Sequence, residues 1–195
     1  MTVLIAIPVI HLIKTKLSEK PNQGLQISKD YRDDASQLNL TKVHKIVEVE
    51  QEPKAIQQQL KQLLQYAKKH HLKVSISGAK HSMGGHTIYP DGISINMLPY
   101  DHMSFDQNTN ILTIGSGASW SKALQYLDGF GQSIGVMQSF SNFSIGGSIS
   151  VNGHGWQTGA APVSSQMISF TLMKADGAIV SCSRTENTEL FKLVT

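Results

Sequence analysis

With a single cysteine, Cys182, the chain can form neither an intrachain disulfide nor a CxxC metal site. Charge is also sparse, at 16% of residues, and the lysines are scattered (Lys14, Lys16, Lys20, then Lys61, Lys68, Lys69). A net charge of +3 with no dense basic stripe and no interleaved aromatics argues against a nucleic-acid partner. Nor is there an apolar run of the ~20 residues needed to cross a bilayer. The longest, residues 1–13, contains Pro8 and His11. It has no positive region ahead of it and no small-residue cleavage site, so it does not read as a standard signal peptide. Two readings of residues 1–13 stay open, a hydrophobic N-terminal segment and the tail of a longer membrane anchor. Placement is accordingly membrane-associated or exported on one reading and cytoplasmic on the other. No cluster of His, Asp and Glu suggests a metal site, and no Gly-x-Ser-x-Gly elbow suggests a serine hydrolase.

What the chain does have is glycine, sixteen in all, many of them between Gly78 and Gly159. The 195 residues suffice for one sizeable domain or two small lobes sharing a core. Residues 18–33, with Pro21, Asn22 and Gly24, read as a linker. From Asp34 the pattern becomes domain-like. Residues 45–49 alternate as a strand does, and Pro53 then opens a helix with Ile56, Leu60, Leu63, Leu64 and Ala67 on one face. That helix is expected to end near His70 and His71, with strands over 72–76 and 93–96 to follow. A second lobe begins near Tyr100, with a hairpin from 104–106 and 111–114. Ser119 is a plausible N-cap for a helix running through Leu127, and Gly129 lies past its end. Strands over 167–174 and 178–183 are joined by Ala175-Asp176-Gly177, a turn sequence, and a helix starts at Thr188. The expected fold class is α+β, with a small βαβ lobe over about 34–99 and a second mixed α/β lobe over 100–195.

The stretch Ser77-Gly78-Ala79-Lys80-His81-Ser82-Met83-Gly84-Gly85 falls at the carboxyl end of the second strand, where open α/β sheets bind ligands. Such a loop can aim successive backbone N–H groups at an anion. It is neither a Walker loop nor a Rossmann turn, because no Gly-Lys-Ser/Thr closes it and the glycine spacing differs. A second small-residue run, 142–155, has Gly146-Gly147 at its centre. Gly115-x-Gly117 is a weaker signal, since Trp120 stands where a third Rossmann glycine would.

Taken in order, several pieces resemble the vanillyl-alcohol-oxidase (PCMH-type) FAD-binding family. They are Asp34-Ala-Ser-Gln-Leu-Asn39 with Thr41, the His81 loop, Gly115-Ser-Gly-Ala-Ser119, Ser144-Ile-Gly-Gly147, Asn152-Gly-His-Gly155 and Ala175-Asp-Gly-Ala-Ile-Val180. The resemblance implies a two-lobed FAD-binding domain and FAD as cofactor. It implies cofactor contacts from Ser77, Gly78, Ala79, Lys80, His81, Ser82, Met83, Gly84 and Gly85. Others would come from Ser144, Gly147, Ser148, Ser150, Asn152, Gly153, His154, Gly155 and Val180. It further implies a covalent bond from His81 to the 8α carbon of the flavin. A second attachment through cysteine is not expected, because Phe140 stands near that position. The implied activity is hydride transfer from an alcohol, sugar-like or amine small molecule. In such enzymes the general base and substrate pocket come from a following domain, so this C-terminal part is expected to be missing and no catalytic residue is assigned. The competing reading is a non-catalytic remnant or flavin-binding module. His86 is expected to be exposed and Cys182 to be a partly buried strand residue. Trp120 and Trp156 are expected to be packing residues, Trp156 with the alternative of bordering the cofactor, while His11, His44, His70, His71 and His102 are expected to be surface or structural.

Overall fold

The computed structural model describes Lys14 and residues 30–195, so the apolar segment 1–13 and most of the linker lie outside the described residues. Strand β1 (Tyr31–Arg32) pairs antiparallel with β2 (Thr41–Lys42). Strand β1 thus lies inside the stretch read as linker, and residues 33–40 connect the two strands.

Strand β3 (Lys45–Glu48) leads into helix α1 (Pro53–Lys69). Glu52 caps the helix by accepting from Ala55 N at 2.8 Å, Pro53 fills a first-turn position that needs no donor, and Lys68 and Lys69 sit at the negative end of the helix dipole. Of the expected apolar stripe, Ile56, Leu63 and Ala67 are buried, which places one face against the sheet. Strand β4 (Val74–Ser77) and strand β5 (Ile93–Asn96) complete that sheet. Its order is β3–β5–β4, all parallel, so the β3–α1–β4 unit expected from sequence crosses over a gap that β5 fills. Burial explains the central position. Ile93, Ser94 and Ile95 are at most 2% exposed, and only a strand covered on both faces has such a run. Ile93 and Ile95, with Val47, Val49, Ile56, Leu63 and Ala67, form the first core.

The second lobe opens with the hairpin β6 (Met103–Asp106) and β7 (Ile111–Ile114). Helix α2 (Trp120–Asp128) follows, with Ser119 Oγ accepting from Lys122 N as its N-cap. A short helix that the sequence did not signal, α3 (Ile145–Ser150), lies in the small-residue run. After a 3₁₀ turn (Val163–Gln166), strands β8 (Ser169–Met173) and β9 (Ile179–Ser183) pair antiparallel, and α4 (Thr188–Val194) follows. Ala118, Trp120, Ala123, Val136, Ile145 and Val163 make the second core. Among the described residues no helix is long and apolar enough to cross a membrane, and no group of three or more His, Cys, Asp or Glu is placed to hold a metal ion.

Candidate functional site

Two weak sequence signals prove to be one unit. The backbone of 116–121 runs beside that of 141–146, with Ser121 N on Ser141 O (2.7 Å), Trp120 N on Phe143 O (3.2 Å), Ile145 N on Ala118 O (2.8 Å) and Gly146 N on Ser116 O (2.9 Å). Gly117 is glycine for packing rather than for phosphate binding, since a Cβ there would overlap the carbonyl of Met97 in the connection between lobes. Trp120, buried, donates its indole N–H to Ser148 Oγ at 2.9 Å, and Ser148 Oγ donates to Ser144 O at 3.0 Å. The large residue at the third Rossmann position therefore anchors α3.

The anchored turn faces the histidine loop. Ser144, the N-cap residue of α3, makes no side-chain bond to its own helix and instead accepts from Ala79 N at 3.3 Å. The N–H of Gly147 consequently has no acceptor among the described residues, and neither do those of Lys80, His81 and Ser82. On the cleft wall, the ring of His81 packs on Phe143 with centroids 4.5 Å apart.

Between the loops lies a cleft of about 790 Å³. Gly78, Ala79, Lys80, His81, Ser82, Ser144, Gly147, Ser148 and Ser150 all line it. Other residues named from sequence do not. Ser77 is buried behind the loop, donating to Ile95 O at 3.1 Å, and Met83 is 67% exposed. Gly84 and Gly85 stand outside the lining, as does Val180 on β9. Asn152, Gly153, His154 and Gly155 follow α3 and join the 3₁₀ turn, where Asn152 Oδ1 accepts from Ser164 N and the Gly153 carbonyl from Val163 N. His154 is exposed with Nδ1 3.3 Å from Gly155 O, and His86 is exposed as expected. Trp156, expected to pack, is 85% exposed.

Part of the lining was not foreseen. Ile56 and Leu60 of α1, Tyr100 of the connection, and Phe170 and Leu172 of β8 add largely apolar side chains to the lining, together with Gln57. The signal for α1 was present but read as core: its apolar stripe is wider than the face buried against the sheet, and Leu60 is left half-buried. Burial pushes the Tyr100 phenol up from its ordinary value, and the charge of Glu52 adds to this. Thr87, also in the lining, carries a buried Oγ1 with no hydrogen-bond partner among the described residues.

Free N–H groups and apolar walls in one cleft suit a ligand that joins a diphosphate to aromatic rings. Residues 53–183 match the family model described as an FAD binding domain. The mouse (Mus musculus) L-gulonolactone oxidase is 25% identical over 135 residues, covering 69% of this chain and 30% of that protein. Chitooligosaccharide oxidase superposes with a TM-score of 0.75 at 19% identity, over 88% of this chain and 36% of the other. Glucooligosaccharide oxidase from Acremonium strictum, whose flavin is a 6-S-cysteinyl, 8α-N1-histidyl FAD, gives 0.68 at 24% identity over 78% and 31%. The chain spans about a third of the length of the relatives it matches.

Proposed function

The chain belongs to the FAD binding domain family, of the vanillyl-alcohol-oxidase type, and on that premise we propose that it is the cofactor-holding part of an oxidoreductase with FAD attached through His81. The observation that carries this reading is the pairing of residues 78–82 with the Ser144–Gly147 turn across one cleft, His81 among its walls. Backbone N–H groups of Lys80, His81, Ser82 and Gly147 would hold the diphosphate, and Thr87 supplies one further unpaired hydroxyl. Ile56, Leu60 and Phe170 would exclude water from the aromatic parts. The 8α-histidyl flavin of the Acremonium enzyme supports a histidine attachment here, and the absence of a cysteine near Phe140 supports a single one. Forming the bond removes one hydrogen from the imidazole nitrogen and one from the 8α methyl, with two electrons, and dioxygen is the acceptor that balances it.

Bound flavin supplies hydride acceptance. This chain's residues hold and orient it, with the Phe143 ring against that of His81. The lactone and oligosaccharide oxidases among the similar proteins favour a sugar-like alcohol as the donor, within the wider class of alcohols and amines.

The test is flavin retention. Wild-type protein incubated with FAD is expected to be yellow and to keep flavin after acid precipitation. His81→Ala is expected to lose acid-stable flavin yet bind FAD reversibly, because the diphosphate contacts come from the backbone. Folded wild-type protein that takes up no FAD in excess would defeat the cofactor reading and leave a fold without its ligand. Flavin that binds but washes out on precipitation would defeat only the covalent attachment.

A further inference from the structure

Residues 33–39 lie outside the 53–183 stretch that matches the family model, yet they hold the histidine loop at both ends. Asp34 is 4% exposed, and its carboxylate accepts four hydrogen bonds. Oδ1 takes Ser36 N (2.9 Å) and Ser36 Oγ (2.5 Å), and Oδ2 takes Asn39 Nδ2 (2.8 Å) and, across 51 positions of sequence, Gly85 N (2.8 Å). The next N–H along, that of Ala35, donates to Lys80 O at 3.0 Å. These two attachments fall on left-handed residues, Lys80 at φ 60° and Gly85 at φ 70°. Such conformations persist where the surroundings over-determine them, and for Lys80, which has a Cβ, that requirement is the stronger.

We propose that Asp34 is a positioning residue for His81. Its carboxylate holds one end of the loop at Gly85 and closes the turn on Ser36 that presents the Ala35 N–H to Lys80 O at the other. This sets the imidazole and the free N–H groups of residues 80–82 towards the cleft before any cofactor arrives. The clamp itself is independent of the ligand, and its consequence for flavin capture rests on the reading that this cleft takes FAD. A carboxylate is required for a specific reason: all four partners are donors, and the group must accept four bonds and offer none. Asparagine has the same shape, but its NH₂ would face either the Ser36 donors or those of Gly85 and Asn39. Isosteric replacement therefore breaks one side of the clamp without opening a void.

The experiment compares wild type, Asp34→Asn and Asp34→Ala as the 195-residue chain. Amide hydrogen exchange is read without cofactor at the bonded amides Ala35, Gly84 and Gly85, with Ile93 and Ile95 of β5 as the internal reference. Loss of the clamp is expected to speed exchange at Ala35, Gly84 and Gly85 by about tenfold in both variants and to leave β5 protection unchanged. With FAD added, attachment judged by acid-stable flavin is expected to slow about tenfold, with a smaller fall in reversible affinity, because misplacement of the reacting group costs rate before it costs binding. Loop exchange equal to wild type in a folded Asp34→Asn would overturn the proposal. So would loss of β5 protection in step with the loop, which would make Asp34 a general fold residue. Wild-type chain that binds no FAD defeats the reading of the cleft, while the exchange comparison still decides the clamp.

Discussion

At the scale of single residues, short polar side chains here act on distant backbone rather than on their own neighbours. Ser144 leaves its own helix uncapped to take Ala79 N, which keeps the Gly147 N–H free at the cleft. Asp34 reaches Gly85 in the same manner. The Ser36 hydroxyl, then the N–H groups of Gly85 and Ser36 and the Asn39 amide, hold the Asp34 carboxyl below the ordinary aspartate range, against desolvation that pushes it up. A carboxyl depressed on folding stabilises the native loop above its unfolded value of ~3.9, and that contribution is lost as pH falls through the lower folded value. Protection of the Ala35 and Gly85 amides, taken relative to the intrinsic exchange rate at each pH, is therefore expected to be flat from neutral pH down to about 4 and to fall below it. In Asp34→Asn that acid limb should vanish. A limb that survives the substitution would assign it to an acid other than Asp34.

Elements differ in how plainly the sequence shows them. Helix α1 was legible because its apolar period, its proline and its terminal lysines all point the same way, and the β8–β9 hairpin because Asp176 and Gly177 (φ 82°) build its turn. The order of the parallel sheet was not, because period-2 patterning says that a strand is buried but not which strand lies between which. Helix α3 was missed for a different reason. Residues 145–150 include two glycines and two serines, poor helix formers, and the helix exists through contacts that only the fold supplies, above all Trp120. The same distinction runs through the candidate site. The contiguous loop 78–82 could be read, but Tyr100, Gln57 and Phe170 reach the cleft from three separate elements, and no local pattern joins them. Trp120→Phe removes the indole donor to Ser148 and leaves a void in the second core. It is expected to cost about 1–3 kcal/mol in denaturant unfolding and to weaken FAD binding through a loosened α3. Unchanged flavin affinity at reduced stability would mean that α3 keeps its place without that anchor.

Over the whole molecule, the two lobes meet closely where Gly78 passes Ser144. A Cβ at Gly78 would overlap the Ser144 hydroxyl and lie 2.7 Å from the Ser144 Cβ. Gly78→Ala is expected to destabilise the protein by about 1–3 kcal/mol and to lower FAD affinity by forcing the loops apart. Ser144→Gly should recover part of both losses in the double variant, since it clears the space, although it also removes the Ala79 bond. Strict additivity of the two changes, measured as a double-mutant cycle, would show that the seam is not shared. The sheet of the first lobe carries one more implication, for synthesis. Its central strand β5 is the last of the three to be made, and β3 and β4 pair only with it, Lys45 and Val74 both meeting Ile93. A nascent chain that has not yet delivered residue 96 has two strands without partners and a helix with half a surface to cover. Folding on the ribosome must wait for β5, and the lobe then assembles in a single step rather than strand by strand.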